Sequence, residues 1–220
     1  PYDSGLIIAD KNGAVEQWLA KEDERPEYYR NRVNAGLHVI NPTILNHSGI
    51  DTDKVGTVGE NGKPIKVDLD RQLLKPLAGT CSIFCYNSPQ YVNDIGTPKL
   101  YYSIYEDYKA GRVSGKNLKN KQKVVFLDRD GTINKYVGFL RNIAEFELMD
   151  GVADAIKKIN ASGYLAIVVT NQPVIARGEV SFEELEEIHN KMETLLGKEG
   201  AYLDAIYFCP HHPHKGYEGE

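Results

Sequence analysis

The sequence predicts an α/β protein in two parts, with a mixed α/β region first and a parallel sheet with crossover helices second. After residue 122, apolar runs alternate with helical patterns in the order strand, helix, strand, helix, strand, which favours a parallel sheet. Two of these runs, VVFL and YLAIVV, are continuously apolar, as in strands buried on both faces. The 220 residues suffice for two domains that each bury a core.

The first half opens on the segment GLIIADKNGAVEQWL, which predicts two short strands around a turn at Asn12 and Gly13. Asn-Gly readily takes the positive φ that such a turn needs. The short apolar runs AGLHVI and CSIFCY predict further strands. We therefore expect Cys81 and Cys85, which lie in the second run, to be buried thiols.

Two helices are predicted before the middle of the chain. DLDRQLLKPL indicates a helix that Asp68 caps and Pro76 stops. In GTPKLYYSIYEDYKAG, Thr97 can cap, Pro98 suits the first helical position and Gly111 lies just past the end. The first half is therefore mixed α/β.

A basic segment separates the two halves. KAGRVSGKNLKNKQK, from Lys109, carries six basic residues and no acidic ones, with little apolar periodicity. We interpret 109–121 as a linker between a domain at 1–108 and a domain at 122–220. A polyanion-binding arm is the alternative for such a run.

The second half contains two predicted helices and a third strand. DGVADAIKKINASG predicts a helix ended by Gly163, and Ser181 with Glu184 forms a capping box for the next. That second helix carries one apolar stripe, which we assign to the core: Phe182, Leu185, Ile188, Met192, Leu195 and Leu196. The run AYLDAIYF then predicts a third strand.

Composition argues against several classes of partner. A net charge of −5 lacks the basic excess of a nucleic-acid binder. The longest aliphatic runs are far shorter than the roughly 20 residues of a membrane span. Three cysteines in no regular spacing suggest reduced thiols. We expect a cytoplasmic protein that binds neither nucleic acid nor a membrane.

Two carboxylates, Asp128 and Asp130, follow directly on the strand VVFL, with only Arg129 to offset their charge. Ligands of parallel sheets bind beyond the carboxyl ends of the strands. Residues i and i+2 of an extended chain point to the same side, and a divalent cation between them relieves their repulsion. The pair therefore predicts a Mg²⁺ site. We expect the Thr132 hydroxyl and the amides of the turn at Gly131 to suit phosphate oxygens. A surface turn is the alternative.

A second polar motif ends the next strand, where YLAIVV is followed by Thr170, Asn171 and Gln172. A hydroxyl and two amides at the same sheet edge could complete a site. By themselves, these three residues also fit an ordinary strand-ending cap.

Residues 122–220 resemble the haloacid dehalogenase superfamily of phosphatases, and within it the D-glycero-D-manno-heptose 1,7-bisphosphate phosphatases and the histidinol-phosphate phosphatases. Four segments carry the resemblance: VFLDRDGTIN, FELMDGV, VVTNQPVIARGE and CPHHP. It implies a Rossmann-like sheet, here without the C-terminal part that would supply a later lysine and the last acidic motif. Pro173 and Val174 stand where the family usually has Ser-Gly.

The resemblance also implies a covalent mechanism. Asp128 would be the nucleophile and Asp130 the general acid and base. Mg²⁺ would be bound by the Asp128 carboxylate and the Asp130 backbone carbonyl. Thr170 would hold the phosphoryl group, and five further residues would help to seat the substrate: Asn171, Gln172, Arg177, Gly138 and Phe139.

The segment CPHHPHKG gathers Cys209, His211, His212 and His214, which suggests zinc. A chance surface histidine cluster is the alternative. In the resembled subgroup, Cys209 and His211 would be the first two ligands of a structural Zn²⁺ whose other cysteines lie in a later C-x-C segment. That segment does not occur in this sequence, so we expect an incomplete Zn²⁺ site.

Residues 1–108 resemble the C-terminal half of sugar-1-phosphate nucleotidyltransferases, especially heptose 1-phosphate guanylyltransferase-like enzymes. The matching segments are PYDSGL, RNRVNAGLHVINPTIL, KVDLDRQLLKPL and YVNDIGTP. The resemblance implies that Asp94 binds the transferase Mg²⁺ and that Asn34 and Gly36 contact the sugar, whereas Lys21 is only a loose match to a sugar-phosphate lysine. Turn composition explains Asp94 and Asn34 equally well.

We therefore expect a bifunctional enzyme of nucleotide-activated heptose synthesis. Its phosphatase would remove the 7-phosphate of D-glycero-D-manno-heptose 1,7-bisphosphate, and its transferase would use a nucleoside triphosphate. Two alternatives remain at this point, a histidinol-phosphate phosphatase and a non-catalytic assembly module.

Overall fold

A computed structural model describes residues 5–47 and 49–217. The fold is α/β, as predicted. The described residues form two compact units. The first contains the residues up to Arg25 and Arg32–Asn87, and the second contains Pro26–Asn31 and the chain from Ser88 onward. The first four residues of the PYDSGL segment lie outside the described residues.

The first unit opens on the predicted hairpin. Strand β1 (Leu6–Ala9) pairs antiparallel with β2 (Val15–Leu19). Gly13 takes a φ of 85° in the connecting turn, as expected for Asn-Gly.

The rest of this unit is mostly short turns of helix. Two 3₁₀ helices span Pro42–His47 and Thr52–Lys54, and a π-helical segment, Leu69–Leu74, leads into α1 (Lys75–Leu77). The Asp68 carboxylate accepts a hydrogen bond from the Arg71 amide, so the predicted cap is confirmed. Pro76 was predicted to stop the helix but lies within α1, which ends at Leu77, because proline is tolerated in a first helical turn.

The strands predicted for AGLHVI and CSIFCY are wrong. Neither run forms a strand, and Phe84 makes only an isolated bridge to Ala14. Leu37 and Val39 are exposed, because no neighbouring backbone pairs with this run in the part of the chain that the structure describes. Cys81 is exposed and Cys85 only half-buried, so the expectation of buried thiols is also wrong.

The basic segment predicted as a linker packs into the second unit. Helix α2 (Pro98–Lys109) has Thr97 as its cap, as predicted, and α3 (Arg112–Gly115) follows. Lys116 is buried and its Nζ lies 2.7 Å from the Asp204 carboxylate. The second unit begins at Ser88, so it already includes the segment 109–121 that was predicted to link two domains.

The second unit is built on a parallel sheet in the order β3-β4-β5. Along the chain, β3 (Val124–Leu127), the 3₁₀ helix Ile143–Glu145, α4 (Val152–Ala161), β4 (Leu165–Asn171), α5 (Phe182–Lys198) and β5 (Ala205–Cys209) follow one another. β4 is central, with Leu127 beside Val168 and Thr170 beside Phe208. The predicted order and the parallel sheet are confirmed.

Helices α4 and α5 pack on one face of this sheet. Their shared core consists of Ile133, Leu140, Phe146, Ile156, Ala166, Val168, Ile188, Met192, Leu196 and Ala201. Side chains of the opposite face, Phe126, Val169 and Tyr207, are about half to two-thirds exposed (67%, 48% and 61%). The expectation of strands buried on both faces is therefore wrong for the described residues, since the helices cover a single face.

The capping box of α5 is confirmed. Ser181 Oγ accepts from the Glu184 amide at 3.1 Å, and the Glu184 carboxylate accepts from the Ser181 amide at 2.7 Å. The apolar stripe is buried at Leu185, Ile188, Met192 and Leu196, while Leu195 is partly buried and Phe182 is 40% exposed. Among the described residues, no helix combines the length and the apolar character that crossing a bilayer requires.

Candidate active site

The carboxyl ends of β3 and β4 border a cavity of about 390 Å³ in the second unit. Seven of the residues that line it were singled out in the sequence and two were not. The lining residues are Asp128, Asp130, Tyr136, Gly138, Phe139, Val169, Thr170, Asn171 and Gln172. The fold thus brings both polar motifs to one opening, as their strand ends predicted.

Asp128 and Asp130 have different surroundings in this cavity. Asp128 is exposed, and its Oδ1 accepts from the Arg129 amide at 2.7 Å. Asp130 is partly buried, and its carboxylate accepts from Arg129, from Asn134 Nδ2 at 3.2 Å and from Gln172 Nε2 at 2.9 Å. Asp128 is therefore the more accessible carboxylate, while Asp130 is held in the cavity wall.

Arg129 is the residue whose importance sequence reasoning missed. Its side chain is 0% exposed and donates to both carboxylate oxygens of Asp130, each at 2.9 Å. Burial lowers the pKa of Arg129, while the charges of Asp130 and Asp128 oppose that change. The buried guanidinium thus offsets part of the repulsion between the two carboxylates. Its place between two aspartates was the signal in the sequence.

Gln172 links the two strand ends. Its Nε2 donates to Asp130 Oδ2 and to Thr170 Oγ1 at 3.0 Å, and its Oε1 accepts from Arg129 Nη2 at 3.0 Å. Thr170 and Gln172 are buried, whereas Asn171 is exposed. These contacts tie Thr170 and Gln172 to the carboxylate pair rather than leaving them as an isolated strand cap.

The turn after Asp130 differs from its prediction. Gly131 has a φ of 77°, as expected. However, its amide donates to the Asn134 carbonyl at 2.8 Å, and the Thr132 and Ile133 amides donate to the Arg129 carbonyl. The prediction that these amides bind phosphate oxygens is wrong, because the turn uses them itself.

Arg177 lies beside the predicted substrate-seating segment. Its guanidinium carbon is 3.9 Å from the centroid of the Phe139 ring, and Phe139 lines the cavity together with Gly138. Glu179 accepts from Arg177 Nε at 2.7 Å and from Arg141 Nε at 2.6 Å. Hydrogen bonding from these arginines, Arg141 first, lowers the pKa of the Glu179 carboxyl. Val174, the departure from the resembled motif, is buried in a small core with Ile175, Val180 and Leu185.

The donor set of the cavity suits a hard cation. Mg²⁺ typically takes one or two carboxylates and completes its shell with water and substrate phosphate. Asp128 supplies an exposed carboxylate at the cavity edge. The Asp130 carboxylate is taken up by hydrogen bonds from Arg129 and Gln172, so this residue would contribute its backbone carbonyl, and with that the pair fits Mg²⁺. In the part of the chain that the structure describes, this cavity included, no three acidic, histidine or cysteine side chains are grouped closely enough to hold a metal ion by themselves.

The predicted zinc ligands are neighbours in the sequence, but the fold does not gather them into a metal-binding cluster among the described residues. Cys209 ends β5 and is exposed, and the His211 ring lies 5.4 Å from the Tyr217 ring. The His214 amide donates to His212 Nδ1 at 3.1 Å. Because a structural Zn²⁺ takes four ligands and the described residues contain no cluster of three, Zn²⁺ stays a prediction.

The residues singled out for nucleotide transfer lie in different units. Asn34 and Gly36 belong to the first unit, where Asn34 Nδ2 donates to Asp70 and the Gly36 amide donates to Asn34 Oδ1 at 2.9 Å. Asp94 belongs to the second unit, where its carboxylate accepts from the Gly96 amide at 3.0 Å. Asn34 Oδ1 and Asp94 Oδ1 thus close local turns of the kind that turn composition predicts.

Curated proteins resemble part of the chain. The D-glycero-beta-D-manno-heptose-1,7-bisphosphate 7-phosphatase of Salmonella typhi is 45% identical over 94 residues, 43% of this chain and 50% of the relative. The protein of the same name from Pasteurella multocida (strain Pm70) is 43% identical over 91 residues, 41% of this chain and 50% of the relative. Over part of its length the chain is homologous to heptose bisphosphate phosphatases. It spans about half the length of these curated relatives.

A solved structure also resembles part of the chain. The crystal structure of D,D-heptose 1.7-bisphosphate phosphatase from B. bronchiseptica, complexed with magnesium and phosphate, is 33% identical with a TM-score of 0.41. The match covers 45% of this chain and 54% of that one. No family model matches the chain. None of the proteins named here is a nucleotidyltransferase.

Proposed function

We propose that the protein is a Mg²⁺-dependent phosphatase that removes the 7-phosphate of D-glycero-D-manno-heptose 1,7-bisphosphate. One observation carries the proposal: Asp128, Asp130 and Thr170 line a single cavity at the ends of neighbouring parallel strands. The named activity of the 45% identical relative supports the choice of substrate.

The proposed reaction has two balanced steps. In the first, an Asp128 carboxylate oxygen forms a bond to phosphorus as the bond to the sugar oxygen breaks, and protonated Asp130 gives its proton to that oxygen. In the second, water attacks the phosphorus of the aspartyl-phosphate and loses a proton to Asp130. This step releases phosphate and restores Asp128.

Thr170 would hold the transferring phosphoryl group. Five further residues would help to bind the sugar phosphate: Asn171, Gln172, Arg177, Gly138 and Phe139. The Asp128 carboxylate and the Asp130 backbone carbonyl would hold Mg²⁺. When bound, Mg²⁺ supplies positive charge that stabilises the phosphoryl oxygens during displacement.

Replacing the nucleophile tests this mechanism. We expect Asp128→Asn to lower phosphate release by about 10³-fold or more, because the amide cannot form the aspartyl-phosphate. Phosphate release from heptose bisphosphate would be measured with Mg²⁺ and with a chelator. The matched control is Asp150→Asn, an exposed aspartate outside the cavity. Full activity of Asp128→Asn, or full activity in chelator, would contradict the mechanism.

Substrate choice needs a separate comparison. Heptose bisphosphate, histidinol phosphate and an aryl phosphate would be assayed side by side. Preference for histidinol phosphate would favour that alternative, and no turnover of any ester would favour a non-catalytic assembly module.

Three finer expectations remain part of the proposal. Fusion to a sugar-1-phosphate nucleotidyltransferase, with a nucleoside triphosphate as its second substrate, rests on the segments of the first half that include Asn34, Gly36 and Asp94. Structural Zn²⁺ rests on Cys209 and His211. A cytoplasmic location rests on composition and on the unpaired cysteines.

A further inference from the structure

Arg129 carries a charged side chain that does not line the cavity. It is 0% exposed, although the residues on either side of it, Asp128 and Asp130, both line the cavity. A substrate in the cavity would therefore touch its neighbours and not its guanidinium. Besides the effect of its charge on Asp128, Arg129 would influence the reaction through the groups to which it bonds.

Those bonds form a closed triangle. Arg129 Nε and Nη2 donate to Asp130, and Nη2 also donates to Gln172 Oε1 at 3.0 Å. Gln172 Nε2 in turn donates to Asp130 Oδ2 at 2.9 Å. Each member of the triangle thus contacts the other two.

The guanidinium also decides which way the Gln172 amide points. Arginine has donors only, so the amide must present its oxygen to Arg129. The amide nitrogen is then left for Asp130 Oδ2 and for Thr170 Oγ1. Through this one amide, Arg129 orders residues at the ends of both β3 and β4.

We propose that Arg129 is a positioning residue that fixes the Asp130 carboxylate and the Gln172 amide in the cavity wall. This inference rests on the proposed phosphatase function, in which Asp130 exchanges protons with the leaving group and with water. The planar guanidinium suits the task because it can bond to a carboxylate and an amide at once, which the single ammonium of lysine cannot do with the same geometry.

The decisive variant is Arg129→Lys, which keeps the charge and removes the planar fork. We expect kcat to fall about 10- to 100-fold, because a displacement near 1 Å at a catalytic group has an effect of this size. KM should stay within about threefold, since Asp130 acts in the transition state rather than in substrate binding. Arg129→Met should lower kcat further, so that lysine restores part of the loss.

Crystal structures of the metal-free wild type and of Arg129→Lys supply a readout that does not depend on activity. We expect the Asp130 carboxylate of the variant to leave Gln172 Nε2, from which it lies 2.9 Å in the wild type. Met192→Ala is the control for general destabilisation, because Met192 is 0% exposed in the helix-covered core and lies outside the cavity lining. It should lower stability and leave kcat unchanged.

The Arg129 variants can each contradict the positioning role. Wild-type kcat in Arg129→Lys, or an unmoved Asp130 and Gln172 in its crystal structure, overturns the positioning role. If Arg129→Met does not fold, the lysine variant still decides. If the wild type hydrolyses no phosphate ester, the proposed function fails, and the crystallographic positions of Asp130 and Gln172 alone then test the inference.

Discussion

At the scale of single residues, buried polar side chains surround the candidate site and only some of them are paired. Arg129 Nε and Nη2 have carboxylate and amide partners, whereas its Nη1 is buried without a hydrogen-bond partner among the described residues. His189, on α5, is 0% exposed, and neither of its ring nitrogens has a hydrogen-bond partner among the described residues. Burial first, and then the charges of Arg30 and Arg129, lower the pKa of His189 well below its usual value. It is therefore neutral in the folded protein.

This histidine predicts a pH dependence of stability. The unfolded chain takes up a proton near pH 6.5 whereas the folded chain does not, so the contribution is complete above that pH and is lost as the pH falls. We expect the wild type to lose about 1 kcal/mol more than His189→Leu between pH 7.5 and 5.5. Urea unfolding at the two pH values measures the difference.

Met192→Leu controls for repacking of α5, because it changes a buried side chain without adding or removing an ionisable group. It should lose the same free energy as the wild type across this pH range. Equal losses in the wild type and in His189→Leu would show that His189 is not the group responsible.

At the scale of elements, a short piece of the first half belongs to the second unit. Thr194 Oγ1 on α5 accepts from the Tyr29 amide at 2.9 Å and donates to the Tyr29 carbonyl at 3.0 Å. Arg30 Nε lies 2.9 Å from the Glu186 carboxylate of the same helix. One buried hydroxyl thus satisfies both backbone groups of a residue that is far away in sequence.

Removing that hydroxyl should loosen the segment. We expect Thr194→Val to reduce the free energy of unfolding by about 1–3 kcal/mol, because the buried Tyr29 amide and carbonyl lose this partner. Thr194→Ser keeps the hydroxyl and is the matched control, so its loss should be clearly smaller. Thermal or urea unfolding measures both, and a loss in Thr194→Val no larger than that in Thr194→Ser would contradict the special role of the hydroxyl.

At the scale of the whole molecule, the proposed binding of Mg²⁺ would be linked to unfolding. An ion that binds only the folded chain raises its stability, by about 2.7 kcal/mol at a concentration 100 times Kd. We expect Mg²⁺ to raise the melting temperature of the wild type and a chelator to reverse the rise. Asp128→Asn should lose this response.

Asp94→Asn separates the two predicted Mg²⁺ sites. If Asp128 and Asp130 hold the ion, this variant responds to Mg²⁺ as the wild type does. A response that survives in Asp128→Asn and disappears in Asp94→Asn would move the metal to the segment of the nucleotidyltransferase resemblance.

Local signals were predicted well wherever neighbours in sequence supply the partners. The Asn12-Gly13 turn, the Thr97 cap and the Ser181-Glu184 capping box each depend on residues a few positions apart. AGLHVI failed because no strand pairs with it among the described residues, and apolar composition cannot show whether a partner is available. CSIFCY bonds to the hairpin only at isolated points, such as the Val15 amide to the Ile83 carbonyl, and forms no strand. The basic segment is mostly exposed, but one of its lysines, Lys116, is buried against Asp204, a contact that only the fold supplies.

The sequence by itself determined the α/β class, the order of the elements in the second unit and the meeting of the motifs at Asp128 and Thr170. The reason is that period, caps and strand ends are local properties, and parallel strands place their carboxyl ends together. Only the tertiary structure decided that Arg129 turns inward to Asp130 and Gln172, and that Tyr29 joins α5. Both depend on contacts between residues remote in sequence, where burial rather than local propensity selects the partner.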